Sequence, residues 1–426
     1  MSKWPVKSLK SRINVKHGYP FKSEFFSDAG NYIVLTPGNF YEEGGFKRQA
    51  GKEKFYTGEV PEDYIHKKGD LIVAMTEQAA GLLGSCAIVP ESGLYLHNQR
   101  LGLITTNEDE VLKDYIYYLF KTSTVREQIR LTSSGSKVKH TSPERIYAVK
   151  APLPPVEEQR KIVRLLNVLD KKIELNNRIN AELEAMAKTL YDYWFVQFDF
   201  PFDFAQDKPG TNGKPYKSSG GKMVYNPTLK REIPEGWEVC SLWNIAKYFN
   251  GLAMQKYRPT GEEYLPVIKI REMNEGFSES TEKARTDLPI EAIVNDGDVL
   301  FSWSATLDVK IWSQGRGALN QHIFKVTSDK YPKTFYYFEL LNYLKHFKMM
   351  AELRKTTMGH ITLDHLKQAK ICLPQLDLLK QADQFIDPIF NKHLMLEKEN
   401  RTLNALRDWL LPMLMNGQVT VQSATE

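Results

Sequence analysis

Residues 155–195 read PVEEQRKIVRLLNVLDKKIELNNRINAELEAMAKTLYDYWF, and their spacing decides how the rest of the chain is organised. Ile162, Leu166, Leu169, Ile173, Asn176, Asn180, Leu183, Ala187, Leu190 and Trp194 follow one another in steps of four and three. That is the a/d seam of a coiled coil. A helix over the whole stretch is about 60 Å long. The seam returns 220 residues later as Ile386, Ile389, Leu396, Asn400, Leu403, Leu410 and Leu414. This second copy is poorer, because His393 and Arg407 stand at seam positions and Pro388 lies near its start. Asn416-Gly417 reads as its C-terminal stop.

What precedes each helix is also said twice. Trp4, Val6, Ser8, Leu9 and Gly18 recur as Trp237, Val239, Ser241, Leu242 and Gly251, all at an offset of 233. Gly69-Asp70-Leu71 returns as Gly297-Asp298-Val299, Asn98-Gln99 as Asn320-Gln321, and Pro152-Leu153-Pro154 as Cys372-Leu373-Pro374. Short strand-like runs broken by Gly, Pro and Asn, followed by a helix from Val111 to about Leu131, make the first copy mixed in structure. The expected fold class is therefore α+β. Two pseudo-repeated domains are separated by a long antiparallel two-helix coiled coil, with pseudo-two-fold symmetry. The boundaries read as a first domain over 1–154, a first spacer helix over 155–197 and a linker over 198–232. A second domain over 233–374 and a second spacer helix over 375–416 follow. Residues 198–232 read as an exposed linker because Pro, Gly, Ser and Asp crowd there.

Two seams of equal length bury most economically against each other. If paired residue numbers sum to 576, Asn176 faces Asn400, Leu166 faces Leu410 and Leu190 faces Ile386. A facing asparagine pair sets register at some cost in stability. Asn180 and Asn400 align across the repeat and join Asn176 as register candidates. The plainer reading has these asparagines facing solvent at a frayed seam.

Composition narrows the partners. A net charge of +5 with pI near 8.7 permits an acidic partner without demanding one. Cys86, Cys240 and Cys372 lie far apart, which argues against a zinc site or a disulfide framework and fits a reducing compartment. With no apolar leader and no run of about 18 apolar residues, a cytoplasmic location away from membranes is expected. No phosphate loop, dinucleotide fingerprint, HExxH or nucleophile elbow is present. The Asn/Asp-Pro-Pro-aromatic tetrad of amino-methyltransferases is missing too. No catalytic residue, metal ligand or cofactor is assigned.

The order of these motifs resembles the specificity (S) subunit of type I restriction–modification enzymes. Gly69-Asp70-Leu71-Ile72, Asn98-Gln99 and the run Gly135-Ser136-Lys137-Val138-Lys139-His140-Thr141 carry the likeness. So do Pro152-Leu153-Pro154-Pro155-Val156-Glu157-Glu158-Gln159-Arg160 and Ile233-Pro234-Glu235-Gly236-Trp237. Each is weak alone; duplicated in order, they cover nearly the whole chain. The resemblance implies one target-recognition domain per half of a bipartite, asymmetric duplex DNA sequence. It also implies helices that space the domains and dock two methyltransferase subunits, with two ATP-dependent restriction subunits completing the complex. The subunit itself neither methylates nor cuts. Glu157, Glu158, Gln159 and Arg160 are the docking candidates. The second junction departs from the pattern, with Gln375-Leu376-Asp377-Leu378-Leu379 in their place.

Base reading needs Arg, Lys, Asn, Gln and hydroxyls on loops or strand ends. In the first copy Tyr19, Lys22, Lys47, Arg48, Lys137, Lys139 and His140 meet that description. In the second copy Gln255, Lys256, Arg258, Lys269, Arg271, Trp303, Ser304, Arg354, Lys355 and His360 do. Ordinary surface charge competes with each. The repeated Asn-Gln and Gly-Asp pairs are read as structural, since two readers of different sequences should not share base contacts. A lone enzyme, or a coiled-coil scaffold or tandem nucleic-acid-binding protein outside restriction systems, stays open as an alternative; the enzyme needs a cofactor motif, and the scaffold leaves the paired polar loops unexplained.

Overall fold

The computed structural model describes residues 3–77, 81–135, 138–210, 213–353 and 361–422. It divides into two compact units. The first comprises Met1–Lys172 with Leu403–Glu426, and the second Ile173–Thr402. Each unit therefore holds one globular domain, part of one long helix and part of the other. The long helices run Val156–Tyr191 and Leu376–Met415. A single π-helical turn, Asp192–Val196, extends the first.

The α+β class and the internal repeat are both present. In the first unit a four-stranded sheet has the order Ile13–His17, Leu101–Thr106, Leu71–Ala74, Cys86–Ile88. In the second, Lys247–Asn250, Ile323–Thr327, Val299–Ser302 and Asp308–Ile311 take the same order. Central strands are buried on both faces, so Leu71-Ile72-Val73-Ala74 and Val299-Leu300-Phe301-Ser302 are nearly continuous in apolar residues. A parallel pair recurs too, Tyr32–Val34 on Tyr95–Leu96 and Leu265–Ile268 on Gly317–Leu319. The entry strand pairs with the junction strand in both units, Val6 opposite Pro152 and Val239 opposite Cys372.

The repeated residues are the joints of this frame. A Cβ on Gly18 would lie 2.0 Å from the Asn98 carbonyl oxygen, and one on Gly251 would lie 2.2 Å from that of Asn320. No other residue permits that approach of backbone to backbone. Asp70 and Asp298 each accept a backbone N–H three residues earlier, at 2.9 and 2.8 Å, closing the turn that launches the central strand. Gly69 and Gly297 sit in those turns with φ of +88° and +94°.

Within the second unit the two helices run antiparallel. Asn176 Nδ2 donates to Asn400 Oδ1 at 2.9 Å, Asn180 Nδ2 to Glu397 Oε1 at 2.6 Å, and His393 meets Glu184 at 2.8 Å. The facing pair is thus Asn176–Asn400. Asn180 turns to Glu397 because the repeat offset places a leucine, Leu396, where Asn176 stands in the first helix. In the first unit Arg407 Nη1 reaches Asp170 Oδ1 at 3.1 Å, and Ile162 and Leu166 share a core with Leu411 and Leu414. The polar residues that weakened the second seam are therefore paired across it. Pro388 does not break the helix, which continues to Met415.

Two expectations need correction. Residues 198–210 and 213–232 are folded, not an exposed linker. Pro201–Asp203 pairs with Lys208–Pro209 and Lys214–Pro215, and Met223–Asn226 pairs with Arg231–Pro234. Phe198, Phe200 and Tyr216 are buried, and Phe200 stacks on Tyr216 at 4.7 Å and on Trp237 at 5.5 Å. Aromatic burial outweighs the breakers, which occupy the turns instead. The single helix read from Val111 to Leu131 is two, Lys113–Phe120 and Ser123–Leu131. Thr122, with extended backbone and its hydroxyl on the Leu119 carbonyl, separates them.

Candidate nucleic-acid interface

At one end of the central sheet of the first unit, backbone hydrogen bonds gather four segments. Gln99 N donates to Tyr19 O, Met75 N to Arg100 O, and Thr141 N to Met75 O. Thr76 Oγ1 lies 3.2 Å from His140 Nδ1, and Arg145 holds the same loop through Ser134 Oγ at 2.8 Å and His140 O at 3.1 Å. Tyr19, Thr76, Lys139 and His140 thus share one rim, with His140 exposed and Lys139 half-buried. Lys137 lies outside the described residues. Tyr19 is half-buried between Phe21 and Tyr64, each ring 5.2 Å away. Lys22 is exposed, 4.0 Å from Glu24. Lys47 lies over Tyr41, and Arg48 pairs with Glu91, so each already has a partner. Beneath Tyr64, burial and the neighbouring His66 hold the His97 imidazole down to about 4, which makes it a neutral part of the frame.

Arg100 went unread in the sequence. It is exposed on that rim and has no ion-pair partner among the described residues. Its signal was available: it directly follows the repeated Asn98-Gln99, where the other copy has His322.

The second unit builds the same rim with other side chains. Trp303 N donates to His322 O and Ile361 N to Trp303 O, matching Met75–Arg100 and Thr141–Met75. The Trp303 indole is half-buried, donating to Asn250 Oδ1 at 3.0 Å, with His322 at 5.7 Å from its ring. Ser304 is buried, its hydroxyl out of reach of a base, which corrects that candidate. Gln255, Lys256 and Arg258 are exposed on and just after the turn Met254–Lys256. Lys269 is bound to Glu282 and Arg271 to Glu272, so each already has a carboxylate. Arg354, Lys355 and His360 lie outside the described residues.

At the junction, Gln159 is a correction. It is wholly buried, accepts from Leu112 N at 2.9 Å, and donates to Glu110 O at 3.0 Å and Pro154 O at 2.9 Å. It staples helix to domain and presents nothing to a partner. Glu158 is half-buried against Lys161, while Glu157 and Arg160 are exposed. A surface absent from the sequence reading lies farther along. Leu175 and Met186 are exposed on the first helix, eleven residues and hence three turns apart. Their equivalents at the offset of 220, Met395 and Leu406, are exposed on the second. Among the described residues, no His, Cys, Asp and Glu side chains gather in threes as metal ligands, and no helix is long and apolar enough to cross a membrane.

The family pattern described as "Type I restriction modification DNA specificity domain" matches residues 1–185 and 234–405. The chain is 26% identical to the type I restriction enzyme MjaIX specificity subunit of Methanocaldococcus jannaschii, over 75% of this chain and 74% of that one. It is 23% identical to the EcoBI specificity subunit of Escherichia coli, over 99% and 88%. A crystal structure of a type I restriction–modification S subunit from M. genitalium superposes with a TM-score of 0.57 at 14% identity, covering 97% and 96%, a likeness of fold.

Proposed function

Because this chain belongs to the type I restriction–modification DNA specificity family, we propose that it reads an asymmetric, bipartite duplex sequence, one half per domain. The subunit is non-catalytic and delivers methyltransferase and ATP-dependent restriction subunits to that sequence. One observation carries this reading. The glycine–asparagine joints are the same in both units, but the rims they hold differ: Met75-Thr76 and Arg100 in one, Trp303-Ser304 and His322 in the other. A repeated frame with unlike rims suits two readers of unlike sequences, since base contacts specify while the scaffold positions.

The long helices are proposed as the spacer. At 36 residues the first alone is about 54 Å long. The duplicated apolar pairs, Leu175 with Met186 and Met395 with Leu406, are proposed as the docking faces for two copies of one methyltransferase. Exposed apolar side chains at equivalent positions of both helices suit a partner that binds twice. The experiment is a map of methyladenine in the host genome. A bipartite motif with a fixed gap should be present and should vanish when this chain is deleted. A continuous motif, or one unaffected by deletion, would refute the reading.

A further inference from the structure

The N-terminal half of the first long helix carries a cationic face that the second helix lacks. Arg160, Arg164, Asn167 and Lys171 fall within a sector of about 60° and span about 16 Å of helix axis. The residues 220 positions on are Lys380, Gln384, Asp387 and Asn391. Three cations on one helix thus correspond to one cation and one carboxylate on the other.

Arg164 and Lys171 are exposed, and among the described residues neither makes an ion pair. Arg160 reaches Glu157 at 3.4 Å, with its side chain 60% exposed. Such a surface pair is weak and yields readily to a denser anion. Asn167 accepts the Tyr118 hydroxyl at 2.8 Å, which ties this face to the first domain. The four side chains line a recess of 700 Å³, with Lys113 on its wall and Glu108 and Asp114 also lining it.

A duplicated frame offers duplicated surfaces to a partner that binds twice. The apolar pairs on the two helices behave in that way. The cationic face does not, so its occupant comes once per complex and is anionic. Duplex DNA meets both conditions: one molecule per complex, carrying a charge about every 1.7 Å along its axis. We infer that Arg160, Arg164 and Lys171 contact the phosphate backbone of the bound duplex, outside the bases read by the two domains. Such contacts contribute affinity and position and carry no sequence information. This rests on the reading of the chain as a DNA specificity subunit.

The test uses the full chain assembled with its methyltransferase, titrated onto its target duplex at roughly 50 to 200 mM salt. Arg164→Gln and Lys171→Asn give the first helix the residues of the second. Each lost phosphate contact lowers the slope of log K against log salt by about 0.9, so the double variant loses about 1.8. Discrimination between target and non-target duplexes and affinity for methyltransferase should stay as in the wild type. A wild-type slope in the double variant overturns the inference while leaving the proposed function standing. Loss of methyltransferase affinity with an unchanged slope overturns it as well, and assigns the face to an acidic protein segment. If the wild-type complex itself binds duplex without salt dependence, the proposed function fails and the inference with it.

Discussion

Replacing Gln159 by leucine distinguishes a staple from a docking residue. The side chain is enclosed and makes three hydrogen bonds, all to backbone groups of the first unit. Leucine keeps the volume but leaves the Leu112 N–H and the Glu110 and Pro154 carbonyls without that partner. Each net hydrogen bond contributes about 0.5–1.5 kcal/mol, and a buried orphaned group costs about 1–3 kcal/mol. Allowing for water reaching the half-buried Leu112, the sum is about 2–4 kcal/mol against the first unit. For a unit of this size the midpoint shifts by about 2–4 °C per kcal/mol, so a loss of about 5–15 °C is expected. Differential scanning calorimetry of the full chain should show the first unit melting earlier and the second unmoved. Glu158→Ala, which removes only a partly exposed pair with Lys161 at 2.7 Å, should cost about 1 kcal/mol or less. Below the melting range, methyltransferase affinity of the Gln159→Leu chain should equal that of the wild type. A wild-type melt combined with a tenfold loss of methyltransferase affinity would refute the staple and restore Gln159 as a contact.

Three further outcomes follow from the geometry. Gly18→Ala and Gly251→Ala each force a methyl group into a backbone carbonyl, at about 1–3 kcal/mol or more; methylome maps should lose definition in one half of the motif for the first and in the other half for the second. Leu175→Asp and Met395→Asp should weaken methyltransferase binding by about tenfold or more each with little change in melting, since both residues are exposed; unaltered assembly by native mass spectrometry would count against that docking face. Burial pushes the Glu339 carboxyl up to about 7, while Tyr191 donates to it at 2.5 Å and Arg231 holds it lower than burial alone would. The folded state therefore binds a proton that the unfolded chain, titrating near about 4.3, has released. Stability should fall as pH rises from about 4.3 to about 7 and level off above, and Glu339→Leu, which copies Leu119 of the first unit, should flatten that slope in a melting series.

Much of the scaffold could be read from the chain. The four-three seam implied two long helices, and facing asparagines picked out the pairing seen at 2.9 Å between Asn176 and Asn400. The recurrence of Gly18 with Asn98, and of Gly251 with Asn320, marked the frame, although not that each pair is one backbone contact. Reading failed where composition and burial disagree. Residues 198–232 looked like a linker because turn formers were counted and the aromatic run Phe198, Phe200, Phe202 and Tyr216 was not. Ser304 and Gln159 looked accessible because polarity was taken for exposure. Lys269 and Arg271 looked free because their carboxylate partners, Glu282 and Glu272, carry no positional signal.

What the sequence determined by itself was everything that repeats: helix period, short apolar strand runs and the duplicated joints. Periodic burial and close backbone approach constrain residue type locally, and local constraints leave a pattern in a single chain. What only the tertiary structure decided was which polar groups are spent. Gln159 is used up inside the fold and Arg271 on its neighbour, whereas Arg100, Arg164 and Lys171 keep their donors in solvent. Partnership of that kind depends on segments far apart in sequence meeting at about 3 Å, a distance no spacing rule encodes.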